Sequence, residues 1–192
     1  QTWTGDEEGN PDPEMTSWLR NRDFRIALGV AVDREEINEV VLLGTGKLKN
    51  GTYHDRHAFY PGEETELKFI EFNPDKANQM LDDLGLTEKD AEGYRLRKDG
   101  KGPLTMELLH VTNYFVDSAA MANTVSRNWK DVGIKATIKG VDVNLWAGRR
   151  RGNKNMIYVG AGMFTARHVA SVASVTSDWA PLIGEWFISD GE

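Results

Sequence analysis

No cysteine occurs in this chain, which excludes disulfides and thiolate metal sites and is compatible with an oxidising compartment without requiring one. Positive charge is also scarce: 23 Lys and Arg stand against 30 Asp and Glu, for a formal charge of -7. A nucleic-acid partner calls for a basic face that displaces counterions from phosphate, so the balance argues against that class. Long apolar runs are missing too, and nothing approaches the roughly 18 residues from which a membrane-spanning helix is read. There is no internal repeat and no low-complexity tract. What is present, 40% hydrophobic and 9% aromatic residues over a length of 192, suffices to bury a sizeable core in one domain or one lobe.

The most particular stretch runs from 24 to 41. Phe24, Ala27, Leu28 and Ala31 share one helical stripe, and Ile37, Val40 and Val41 share another. Asp33 between them stops the first helix and caps the second, Glu36 follows at capping-box spacing, and Gly44 closes the second helix. Residues 44–61 then read as loop, punctuated by Gly44, Gly46, Gly51 and Pro61. Asn73 and Pro74 open a helix whose buried stripe is Ala77, Met80, Leu81 and Leu84, and Gly85 ends it. Strands are expected over 94–97 and 104–111, around the turn Asp99-Gly100-Lys101-Gly102. A longer helix over 116–132 stops at Gly133, and a strand alternating Ile134, Ala136 and Ile138 with Lys135, Thr137 and Lys139 follows. A helix over 143–150 and a strand over 156–159 complete the pattern, which is that of a mixed α/β fold.

Catalytic and metal chemistry find little support. Gly44-Thr45-Gly46-Lys47 resembles a phosphate loop only in part, because Val41 and Leu48 occupy the positions that need glycine and a hydroxyl. It reads as a helix-ending turn. His54, Asp55 and His57 lack the spacing of one helix face and read as a solvated loop, with no metal expected. His110 and His168 are isolated, and read as structural or exposed. No Gly-x-Ser-x-Gly elbow or thiol nucleophile occurs, and the carboxylates Asp82, Asp83, Glu88 and Asp90 read as a solvated helix end. Arg25 and Arg34 fit structural roles, since a guanidinium suits a carboxylate or a helix C-terminus. Arg149, Arg150 and Arg151 read as the cation-rich, solvated end of a helix. No cofactor and no catalytic residue is expected.

Three blocks together carry a resemblance. FRIALGVAVDREEIN at 24–38, FNPDKANQMLDDLGL at 72–86 and NWKDVGIKATI at 128–138 are similar, in that order, to signature blocks of the bacterial extracellular solute-binding proteins of the peptide and nickel type. That resemblance covers roughly residues 18–160. It implies a type II periplasmic-binding-protein-like fold and the second lobe of a two-lobed protein, corresponding to domain III of the dipeptide-binding proteins. Residues 1–17, polar and rich in Gly and Pro, read as a connector from the other lobe, and 18–192 as the second lobe, truncated at both ends.

The same resemblance implies the function: capture of peptides outside the cytoplasmic membrane by two-lobe closure, and delivery to the permease subunits of an ABC importer. The expected place is periplasmic or extracellular, with membrane contact only through an anchor or the permease. Arg25, Asp33 and Arg34 belong to the structural signature. Trp146, Phe164, Arg167, Trp179 and Trp186 become the ligand-cleft candidates, because indole and phenyl faces grip a side chain or sugar ring without demanding one identity. One departure matters. Peptide-binding members place an aspartate shortly after the strand equivalent to 156–159, to pair with a peptide amino terminus. Here 160–168 holds no acid, and a buried unpaired ammonium is costly, so oligosaccharides or other small polar solutes become the alternative ligands.

Overall fold

In the computed structural model, residues 3–6, 8–52, 55–56, 60–113 and 116–160 are described. Their elements run α1 (Pro13–Arg20), α2 (Arg22–Val30), α3 (Arg34–Leu42), α4 (Glu63–Glu66), α5 (Pro74–Asp83), β1 (Thr105–Val111), α6 (Ser118–Asp131), β2 (Lys135–Val141), α7 (Val143–Arg151) and β3 (Ile157–Tyr158). The three strands are parallel in the order β2-β1-β3, with Leu108 opposite Ile138 on one side and Ile157 on the other. The chain divides into two compact units. Lys49–Lys68 falls in one, and Thr2–Leu48 with Phe69–Ala161 makes up the other.

The segment before Trp18 carries the start of the first helix. Asp12 caps α1 by accepting from the Met15 amide at 3.0 Å, Pro13 supplies a first helical residue that needs no donor, and Trp3, Met15 and Trp18 are buried in the hydrophobic core. Asn21 ends α1 with an extended backbone and caps α2, its Oδ1 accepting from the amides of Asp23 and Phe24. The two signature arginines bind carbonyls at helix ends instead of the neighbouring aspartates. Arg25 donates to Leu19 and Arg20 at the end of α1, at 2.8 and 2.7 Å. Arg34 donates to Gly29 at 2.8 Å and to Val32 and Ile70 at 3.3 Å. Arg25 thus serves the C-terminal carbonyls of α1, and Arg34 binds the end of α2 to the backbone at Ile70.

Asp33 caps α3 as its position predicts, accepting from the Glu36 amide at 2.9 Å. The reciprocal half of the capping box is taken over by tertiary contacts. The Asp33 amide donates to Asn128 Oδ1 at 3.0 Å, and the Glu36 carboxylate pairs with Arg127 instead. Asp33 thus joins α3 to α6 as well as starting it. Replacing it with alanine is expected to lower stability by about 1 kcal/mol, measured by urea unfolding, with no change in the denaturant slope. The end of α3 differs from the expectation in detail: Leu43 takes the left-handed conformation at φ 53°, one residue before Gly44.

Two helices end alike. The amides of Gly85 and Leu86 return to the carbonyls of Asp82 and Leu81, and those of Gly133 and Ile134 return to Lys130 and Trp129. This is the Schellman arrangement, which requires the left-handed residue that Gly85 (φ 76°) and Gly133 (φ 80°) provide. Each reversal drops an apolar residue, Leu86 or Ile134, beside the helix's own buried Leu81 or Trp129. Residues 94–97, expected as a strand, make only isolated bridges, Lys89 with Arg95 and Leu96 with Pro103. The reason is that the Arg95 amide is drawn to the Gly133 carbonyl at 2.7 Å, across to the end of α6.

The central strand β1 is covered on both faces. Met106 and Leu108 of β1 join Phe24, Leu81, Val125 and Trp129 in the core, on the side of α6. Residues alternate across a strand, and on the other face Glu107 receives Arg149 of α7 at 2.7 Å. Within Lys49–Lys68, the buried Glu66 accepts from Lys49, from Thr52 at 3.3 Å and from Tyr60 at 3.0 Å. The hydrogen bond from Lys49 leads the influences that hold its carboxyl below the usual range.

Candidate functional site

In an open parallel sheet, ligands are received outside the carboxyl ends of the strands, where the crossover helices begin. Here α6 and α7 both start at that edge. Asp117 caps α6 through the Ala120 amide at 2.9 Å, and Asp142, one residue beyond β2, caps α7 through the amides of Asn144 and Leu145. Each cap employs one carboxylate oxygen and leaves a negative charge at the edge.

Of the cleft candidates, Trp146 lies within the described residues, and Phe164, Arg167, Trp179 and Trp186 lie outside them, as do His54, His57 and His168. Trp146, half-buried on α7, packs against Tyr158 of β3 with ring centroids 5.1 Å apart and planes tilted by 39°. The Arg150 guanidinium sits 4.9 Å from the centroid of the indole. Tyr158 is in register with Leu109, in the C-terminal half of β1. Val143 and Leu145, on the first turn of α7, are exposed at 47% and 50%. The combination is a tilted aromatic pair with a cation stacked on it, beside an apolar helix start, which suits a ring or a flat side chain. The indole was legible as a candidate from sequence. Tyr158 was not, because its partner is brought alongside by the parallel pairing of β3 with β1.

The arginine run of α7 is not uniformly solvated. Arg149 is buried, donating to Asn155 Oδ1 at 3.1 Å, the Lys154 carbonyl at 3.0 Å and Glu107, while Arg150 stacks on Trp146. Likewise Asp82 and Asp90 are not simply a wet helix end. Asp82 pairs with Arg95 at 2.5 Å, and Asp90 accepts from the amides of Glu92 and Tyr94. His110, expected to be structural or exposed, is buried. Gly44-Thr45-Gly46-Lys47 is a helix-ending turn, with the Thr45 amide on the Leu42 carbonyl and the Gly46 amide on Asn38 Oδ1.

A second charged cluster ties the start of α1 to the 97–102 hairpin. Arg97 spans the Asp12 carboxylate with two bonds, at 2.7 and 2.8 Å, and also holds Asp99 at 2.6 and 2.9 Å. Glu14 accepts from the amides of Lys98 and Asp99 and from the Trp18 indole. The hydrogen bond from Arg97 leads the influences that pull the Asp99 carboxyl well below the ordinary range. Burial works the other way at Asp12, but is outweighed by its bonds to Arg97 and the Met15 amide, so that its carboxyl also falls. Both groups bind protons more readily in the unfolded chain, so their stabilising contribution is present above the unfolded value near pH 4 and lost as pH falls below it. The melting temperature is therefore expected to fall between about pH 5 and about pH 2, and Arg97→Gln to flatten that decline.

Among the described residues no group of three or more potential metal ligands comes together, and no helix is long and apolar enough to cross a membrane. Comparison with the curated proteins finds no match. Solved structures do match. An oligopeptide-binding protein OppA is 28% identical, with a TM-score of 0.73 over 83% of this chain and 24% of that one. AppA from Bacillus subtilis, solved with a nonapeptide, is 25% identical, with a TM-score of 0.59 over 76% of this chain and 27% of its own. The periplasmic binding protein MelB of Agrobacterium fabrum, solved with stachyose, shares the fold at 22% identity and a TM-score of 0.65, over 94% of this chain and 27% of its own. The chain thus spans about a quarter of the length of these structures. Residues 10–180 match the family described as bacterial extracellular solute-binding proteins, family 5 Middle, and the chain belongs to that family.

Proposed function

We propose that this chain is the second lobe of the substrate-binding component of an ABC importer, with residues 1–17 joining it to the other lobe and 18–192 forming the lobe itself. Outside the cytoplasmic membrane the two lobes close over a solute, bury it and present it unaltered to the permease. The observation that carries this reading is the family 5 match over residues 10–180, on a fold held in common with the oligopeptide-binding protein. Trp146, on the Tyr158 ring, supplies one wall of the cleft, and Phe164, Arg167, Trp179 and Trp186 are further candidates for it.

Peptides are the first class of solute, in keeping with the nonapeptide held by AppA. A neutral oligosaccharide is the second reading, favoured by the lack of an acid over 160–168 and by the stachyose bound to MelB. Purification of the full-length protein under native conditions, followed by mass spectrometry of what it releases, separates the two. Capture predicts that an intact peptide or glycan is recovered after prolonged incubation. Steady accumulation of hydrolysis products would instead make the protein an enzyme.

A further inference from the structure

At the carboxyl edge of the sheet one buried polar atom has no use within the fold. His110, next to last in β1, is 7% exposed, and its Nδ1 is shielded from solvent without a hydrogen-bond partner among the described residues. The ring lies against Gly140 of β2, where an added Cβ would meet Nε2 at 3.0 Å and Cε1 at 3.1 Å. A glycine inside the strand is what makes room for the imidazole. The next residue, Val111, gives its carbonyl to the Ser118 hydroxyl at 2.8 Å, so the imidazole is one residue from the tie between β1 and the N-terminus of the 14-residue α6.

A buried polar atom left without a partner costs stability, and folded proteins rarely keep one that serves no purpose. Its place at the strand ends, by the start of a helix, is where open parallel sheets take ligands. The helix caps at this edge, Asp117 and Asp142, both bring carboxylates, which oppose an anionic group. An imidazole nitrogen exchanges hydrogen bonds readily with a hydroxyl or an amide, and both are the neutral groups that this edge favours.

We propose that His110 is a specificity-determining residue of the solute site, making one hydrogen bond to a neutral hydroxyl or amide group of the solute. The inference rests on the capture reading given above. It is tested by titrating the full-length protein with trialanine, a mixed-sequence nonapeptide and stachyose, as wild type, His110→Phe and His110→Gln. His110→Phe keeps the bulk of the ring but loses the hydrogen bond. It is expected to weaken binding of whichever probe the wild type holds by about tenfold or more, without lowering the melting temperature, whereas His110→Gln recovers part of the loss. The wild-type imidazole nitrogen resonances are expected to shift on saturation with that probe. Unchanged affinity in His110→Phe overturns the inference and leaves solute capture standing. If that variant fails to fold, imidazole resonances indifferent to the probe overturn it equally. A wild type that holds none of the three contradicts the capture reading itself and takes this inference with it.

Discussion

Replacing Arg95 with methionine is expected to lower the free energy of unfolding by about 3–5 kcal/mol, since several buried acceptors lose their donor at once and each such loss costs about 1–3 kcal/mol. Arg95 is 1% exposed. Its guanidinium donates to the Val132 carbonyl at 2.8 Å, to Asn78 Oδ1 at 2.8 Å, to Asp82 at 2.5 Å and to the Leu86 carbonyl. Leu86 and Val132 stand at the ends of α5 and α6, so a single side chain ties together the two Schellman reversals. Methionine retains much of the volume but leaves those carbonyls unpaired, and the cost of leaving buried groups unmade exceeds the net worth of the bonds themselves. Lysine is not expected to rescue it, since a single ammonium cannot spread over acceptors arranged around a planar fork. Urea unfolding of wild type, Arg95→Met and Arg95→Lys checks the ordering. A loss below about 1 kcal/mol for Arg95→Met would mean that the two helix ends hold without it.

Trp129→Ala is expected to cost a similar amount, about 3–5 kcal/mol, by a different route. The indole is 5% exposed within the cluster that includes Phe24, Leu28, Met106 and Leu108, and its Nε1 donates to the Leu28 carbonyl at 3.0 Å. Its removal opens a cavity between α2, α6 and the sheet and leaves a carbonyl without its donor. Trp129→Phe fills much of the space, isolating the hydrogen bond, and is expected to cost about 1–3 kcal/mol. Thermal unfolding of the pair separates packing from polar satisfaction. Equal losses for the two variants would place nearly all of the contribution in the hydrogen bond.

These two residues show what was legible in the sequence and what was not. The helices over 24–30, 34–42 and 74–83 could be read from local signals alone, because Asp33, Asn73, Pro74 and Gly85 act within one turn of where they stand. The same holds for Gly133, which announces both the end of α6 and the strand that follows. Arg95 could not be read that way. Its acceptors come from residues 78, 82, 86 and 132, and no periodicity links a hairpin position to the ends of two helices. For the same reason a strand was expected over 94–97, where only isolated bridges occur. Trp146 was recognisable as a cleft candidate by its type, but the stack of Arg150, Trp146 and Tyr158 depends on β3 lying beside β1. His110 carries no sequence signal at all, since its isolation becomes visible only with Gly140 placed across from it.

In the reading proposed above, these residues supply one side of a clamp that grips a solute and lets it go unchanged. Affinity in such a clamp comes from contacts on both sides, so half of it binds poorly. Calorimetric titration of one solute into the 192-residue chain and, separately, into the full-length protein tests this directly. A dissociation constant on the order of micromolar or tighter is expected for the full-length protein and no measurable heat for the shorter chain, with the solute recovered intact. Tight binding by the shorter chain alone, or a solute recovered in pieces, would contradict it.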